Sequence, residues 1–163
     1  MILAKNEGKK FENLVEESCV KQGILCQRLK DTASRQFGNR NPSDFILYNG
    51  KTMLYLECKR HFDRLPLDQL RQIPEMEKLD IQDNMICGFI IKLVKKKDNT
   101  SIVRFLDLDT IKVLIGDLKA QCKASISYDT LKKYTVVSSY LPERARVRRL
   151  DITDLFDKID ICN

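Results

Sequence analysis

The stretch DFILYNGKTMLYLECK, residues 44–59, constrains the fold more than any other part of the chain. Two apolar runs, each with period-two alternation, meet at Asn49-Gly50. Asn-Gly between such runs is the strongest short-range hairpin signal, because both central positions of a type I′ turn ask for positive φ. With these two residues as the loop, Tyr48 pairs with Lys51, Ile46 with Met53 and Asp44 with Tyr55. Asp44, Tyr55, Glu57 and Lys59 then project from one face. Phe45, Leu47, Leu54, Leu56 and Cys58 take the other, which belongs to a core. Two carboxylates and a lysine therefore stand where the hydrophobic pattern asks for burial.

The rest of the chain supplies partners for that hairpin. Residues 5–22 predict a helix with Phe11, Leu14, Val15, Ser18 and Cys19 on one face, Glu12 and Glu16 on another, and Gly23 as its stop. ILCQRL (24–29) reads as a short strand, and 31–41 as a polar, basic loop. Residues 66–79 predict a helix that Pro74 should kink or divide. MICGFIIKLV (85–94) is a buried strand, joined through KKKDNT to SIVRFL (101–106). A helix from Leu108 to Leu118 follows, capped by an aspartate. ASISYDTLKKYTVV suggests a strand edge with a helical turn, and DITDLFDKI a short final helix. This order implies a single α/β domain over 1–163, with a central mixed β-sheet flanked by helices.

At 163 residues the chain can bury a core without disulfide or metal staples. Its six cysteines form no CxxC pair and it has one histidine, so neither a zinc site nor a thioredoxin-like motif fits. Free thiols in a reducing compartment are the expectation. No run is apolar enough for a bilayer span, and MILAKNEGKKFENL lacks the core of a signal peptide, so a cytoplasmic protein is the default.

The formal net charge is +6. Basic residues gather in three places: Arg28, Lys30, Arg35 and Arg40; Lys92, Lys95, Lys96 and Lys97; and Arg144, Arg146, Arg148 and Arg149. Each alone is an ordinary solvated face. Together they favour nucleic acid as a partner.

Asp44 and Glu57 come out as diagonal neighbours, with backbones about 7–8 Å apart, which leaves room for a cation between them. Two converging carboxylates repel, and each takes up a proton unless positive charge sits between them. A hard divalent cation, Mg²⁺ or Mn²⁺, resolves that conflict. It can activate water and stabilise charge on a phosphate, while Lys59 holds the water or neutralises that charge. The alternative is an ion pair between Lys59 and a carboxylate at a sheet end.

Pro42-Ser43-Asp44 followed by Glu57-Cys58-Lys59 resembles the signature of the PD-(D/E)xK nuclease superfamily. More narrowly, the chain is similar to the RecU-type Holliday junction resolvases. Gly8 with Glu12, Leu65-Pro66-Leu67 with Gln72-Ile73, and Gly88-Phe89-Ile90-Ile91 match that family's pattern. The resemblance implies a restriction-endonuclease-like core and a Mg²⁺-dependent homodimer that nicks symmetric strands of a four-way DNA junction in recombination and repair, with recombination proteins as partners. It implies Asp44, Glu57 and the Cys58 carbonyl as metal ligands, Lys59 as the residue assisting water, and Glu12 and Gln72 as supports. Arg28, Lys30, Arg35, Arg40 and Arg60 would meet DNA. Read from the residues alone, Glu12 and Gln72 are equally surface groups and Tyr55 a packing residue. The family's long stalk corresponds here to about eleven residues, 31–41, a short loop. That departure keeps two alternatives open: an endonuclease of duplex or flapped DNA, and a non-catalytic junction-binding protein.

Overall fold

A computed structural model of the chain describes residues 2–29, 41–79, 85–142, 150–153 and 155–156. Lys30, Arg35, Arg40 and the basic cluster at 144–149 lie outside the described residues.

Helix α1 (Ile2–Lys21) leads into β1 (Leu25–Arg28), β2 (Phe45–Tyr48), β3 (Met53–Phe62) and β4 (Arg64–Pro66). A 3-10 turn (Leu67–Gln69) precedes α2 (Ile73–Leu79), and then come β5 (Met85–Val94) and β6 (Thr100–Asp107). Helix α3 (Leu108–Ala120), β7 (Ser125–Ser127), α4 (Tyr128–Leu131) and β8 (Thr135–Pro142) complete the order. Six strands form one sheet in the order β1-β2-β3-β5-β6-β8. Only the β3–β5 pairing is parallel, so the sheet is mixed, as the pattern implied. A separate two-stranded ribbon pairs β4 with β7; the strand edge and helical turn expected in ASISYDTLKKYTVV are β7 and α4, whereas β4 had no signal in the sequence.

Both sheet faces are buried, which explains why β5 reads as an apolar run interrupted only by Lys92. On one side, Phe11, Val15 and Cys19 of α1 pack on Phe45, Leu47, Leu54, Leu56 and Ile90. Leu150, Ile152, Leu155 and Phe156 close that layer. On the other, Ile111, Leu114 and Leu118 of α3 and Met76 of α2 cover Cys87, Phe89, Ile91 and Leu93. Asp107 caps α3 by accepting from Thr110 N at 2.8 Å, as expected of an aspartate there. Cys19, Cys26, Cys58, Cys87 and Cys122 are free thiols. Among the described residues no helix is long and apolar enough to cross a membrane.

Residues 66–79 are divided rather than kinked, one of the two outcomes expected of Pro74: a 3-10 turn covers Leu67–Gln69 and α2 begins at Ile73, with Pro74 in its first turn, where a missing N–H costs no helical hydrogen bond. Gln72 consequently stands just ahead of the helix, and its carbonyl accepts from Met76 N at 2.9 Å.

The hairpin loop is Gly50-Lys51, not Asn49-Gly50. Phe45 opposes Leu56, Ile46 opposes Tyr55 and Tyr48 opposes Met53. Asn49 does not enter the left-handed region; its side chain accepts from Lys51 N at 3.0 Å and Thr52 N at 2.7 Å. Gly50 alone takes positive φ, +96°. The asparagine thus works through its side chain, the Asx-turn habit, and the loop moves one residue along. Every partner number shifts by two, so each side chain keeps its face.

Candidate active site

The corrected register sharpens the carboxylate pair. Continued one residue past Phe45–Leu56, it sets Asp44 directly opposite Glu57 rather than diagonal to it. Ser43 is buried, and its hydroxyl donates to Phe45 O at 2.8 Å, holding the bend by which the chain enters β2. Asp44 therefore stands at a strand end, and its Oδ2 accepts from Cys58 N at 2.8 Å. Nothing in the residue pattern singles out Ser43 beyond its place before an aspartate.

Glu57 is only 6% exposed. Burial, reinforced by the charge of Asp44, pushes its pKa up to about 8, while Lys59 pulls the other way. Burial raises Asp44 as well, against the Cys58 N–H and Lys59. The two carboxyls act on each other at close range, Asp44 raising Glu57 and Glu57 drawing Asp44 down. Lys59 Nζ lies 2.9 Å from Glu57 Oε1. One ammonium thus serves two carboxyl groups.

Glu12, from α1, senses the same centre. Burial first, then the charge of Asp44, raises its pKa, and Arg28 and Lys59 oppose that rise. Arg28 fixes Glu12 in place: Nη1 is 3.1 Å from Glu12 Oε2, and Nη2 is 2.6 Å from Glu16 Oε2. Nη2 also donates to Asn13 Oδ1 at 3.0 Å, and the guanidinium sits 5.1 Å from the Phe45 ring centre. Pairing between Arg28 and the two helix glutamates was invisible in the sequence, because α1 and β1 meet only after folding.

Arg60 lies apart from this cluster. It is 3.6 Å from Glu7 and stacks on the Phe62 ring at 4.7 Å. Gln72 makes no hydrogen bond to the carboxylates, and its buried Oε1 has no hydrogen-bond partner among the described residues. Tyr55 packs with the layer under α3, a core role.

Could these groups hold a metal? Among the described residues no set of three or more His, Cys, Asp and Glu side chains is arranged for one. Mg²⁺ needs no such cage, since it commonly uses one or two carboxylates and keeps several waters. A strand residue's N–H and C=O point to the same side. Cys58 N reaches Asp44, so its carbonyl also faces the edge that β2 has vacated. The donor set is two carboxylates and a carbonyl, all hard oxygens, with a proton already held where positive charge is lacking. The residues fit a small hard divalent cation.

No family model matches the chain. No curated protein matches it either. One solved structure with a similar fold is Hjc of Archaeoglobus fulgidus, a Holliday junction resolvase from an archaeal hyperthermophile. It superposes with a TM-score of 0.49 at 17% identity, covering 80% of this chain and 96% of that one. The functional reading accordingly rests on this chain's own residues.

Proposed function

We propose that the protein is a Mg²⁺-dependent DNA endonuclease, able to use Mn²⁺, that resolves four-way junctions by paired symmetric nicks. The observation supporting this is the buried Glu57 brought opposite Asp44 at a strand end, with Lys59 Nζ 2.9 Å from Glu57 Oε1. As a structural device the arrangement is poor. A buried ion pair is often no more stabilising than apolar residues of the same volume, and here a second carboxylate is added to it. Such an expense is expected where the groups do chemistry.

Bound between Asp44, Glu57 and the Cys58 carbonyl, a divalent cation would acidify a water and stabilise charge on the scissile phosphate. Lys59 is held 2.9 Å from Glu57, and its ammonium would orient that water or meet the phosphate oxygens. Glu12 carries a raised pKa next to Asp44, suited to passing a proton. Arg28 keeps Glu12 there. A junction has two equivalent strands, so cutting both symmetrically calls for a two-fold homodimer.

The shortness of segment 31–41 favours a second reading within the same chemistry, an endonuclease of duplex or flapped DNA. Incubating labelled four-way junction, flap and linear duplex with the protein, in Mg²⁺ or in EDTA, separates the two. Preferential nicking of the junction in Mg²⁺ supports resolution. Equal cutting of junction and duplex selects the second reading. Absence of cutting on every substrate, with DNA still bound, leaves the accessory role.

A further inference from the structure

Arg64, Lys95, Lys96 and Lys97 gather at the end of the sheet where β3 and β5 both finish, and none is ion-paired with a carboxylate among the described residues, although Asp98 feels the charge of Lys95. The contrast with Arg28 and Arg60 is direct, since both of those are tied to glutamates. From the pattern of charge and pairing, we propose that this strand end is a second contact surface for a DNA phosphate backbone, engaging the duplex arm of the substrate away from the cleavage point. The proposal rests on the endonuclease reading and adds to it where the arm runs.

The surface is built by one residue. Asp63, between β3 and β4, takes a positive φ of +57°, a conformation that needs support outside glycine. Its Oδ1 accepts from Lys96 N at 3.0 Å, its own N–H donates to Val94 O at 2.9 Å, and its carbonyl accepts from Tyr128 N at 3.1 Å. Three segments are thereby pinned together: the end of β5, the β5–β6 turn and the start of α4.

Pinning sets the cations on aromatic rings. Lys95 Nζ is 4.5 Å from the Tyr128 ring centre, and Lys96 Nζ is 5.4 Å from that of Phe62, itself 44% exposed. A ring contact orients an ammonium without neutralising it, because the ring carries a quadrupole and no net charge. Two carboxylates lie among these cations: Asp63 accepts from Lys96 N, and Asp98 accepts from Thr100 N at 3.2 Å and Thr100 Oγ1 at 2.7 Å and feels the charge of Lys95. Four cations against two carboxylates leave this surface net positive.

The spacing suits DNA better than a small anion. Five residues separate Glu57 from Phe62 along β3, a span of about 17 Å at roughly 3.3 Å per residue. A B-DNA strand advances about 3.4 Å per nucleotide, so the surface lies about five or six nucleotides from the cleaved phosphate. Contacts of this kind read the backbone and fix its course, and they carry no sequence preference.

Fluorescence anisotropy in EDTA, with junctions carrying arms of about 4 or about 12 base pairs, tests the assignment without cleavage. The variant Arg64→Gln/Lys96→Gln/Lys97→Gln changes exposed groups, and its melting curve checks that it folds; Lys97→Glu alone is the milder companion. The expected result is a loss of about tenfold or more in affinity for long arms, with short-arm affinity nearly unchanged, and a salt slope shallower by about 2–3, since each phosphate contact contributes about 0.9. Long-arm affinity and slope equal to wild type would overturn the proposal and leave the nuclease reading standing. Binding to vesicles of anionic phospholipid that the variant loses, with DNA binding unchanged, would reassign the surface to membrane. Wild-type protein that binds no DNA would remove both readings together.

Discussion

Asp44 stands opposite Glu57 one residue beyond the Phe45–Leu56 end of the β2–β3 ladder, and its charge adds to burial in raising the Glu57 pKa to about 8. Lys59 touches Glu57 at 2.9 Å and so is part of the same charge system. Two carboxyls served by one ammonium define a centre that is short of positive charge.

If that centre performs hydrolysis, Glu57→Gln and Asp44→Asn should lower cleavage by at least about 10²-fold while DNA affinity in EDTA stays close to wild type. Single-turnover cleavage and anisotropy on the same junction measure the two quantities. Unimpaired cleavage by Glu57→Gln would remove Glu57 from the active site. Cys58→Ala should cleave normally, since the group assigned to the metal is the backbone carbonyl.

The buried proton also predicts an unusual pH dependence of stability in EDTA. Glu57 titrates near its ordinary value of 4.5 when unfolded and at about 8 when folded. Between those values the unfolded state binds fewer protons, so this residue lowers stability as pH rises from about 4.5 to 8. Glu57→Gln removes the effect. Its stability relative to wild type should climb from near zero at pH 5 to a few kcal/mol at pH 8. Urea denaturation at three pH values reads this difference, and a constant offset between the two proteins would contradict it. Mg²⁺ should stabilise the wild type at pH 8 and the variant much less.

Much of this site could be read from the residues, for a specific reason. Period-two alternation fixes which face a strand residue takes, and that survived a two-residue error in the hairpin register because the error was even. The loop itself was misread because Asn49 acts through its side chain, and the sequence does not distinguish that from a backbone role. Pro74 left a kink and a division equally open, because proline tolerates a first helical turn as well as it breaks an interior one, and the segment is in fact divided. The Arg28 and Arg60 ion pairs join residues far apart in the chain, on elements whose packing geometry no local pattern encodes. Charge was visible throughout, but its neutralisation was not.

That distinction leads to a prediction for Arg28. Its guanidinium is occupied by Glu12, Glu16 and Asn13. Arg28→Ala should therefore cost about 1–2 kcal/mol of stability, and leave the salt slope of DNA binding unchanged. Cleavage should fall because Glu12 loses its restraint, and Arg28→Lys should restore part of the stability but little of the rate, since lysine lacks the two-pronged geometry. A slope shallower by about 1 in Arg28→Ala would instead mark a phosphate contact.

Gly88 tests how the sheet holds the site in place. It pairs with Leu56 on one side and Asp107 on the other, one step from Phe89, the partner of Glu57. A Cβ at this position would lie 2.6 Å from two Phe105 ring carbons and 2.9 Å from Leu106 O. The ring can rotate away, but the carbonyl belongs to the β6 backbone and moves only with the strand. Gly88→Ala should thus destabilise the protein by about 1–3 kcal/mol, the usual cost of overpacking. Adding Phe105→Leu relieves the ring contact and leaves the carbonyl contact. The double variant should be more stable than the sum of the single changes by about 0.5 kcal/mol or more, yet remain below wild type. Thermal or urea denaturation of the four proteins closes the cycle, and strict additivity would show that the Phe105 ring does not restrict this position.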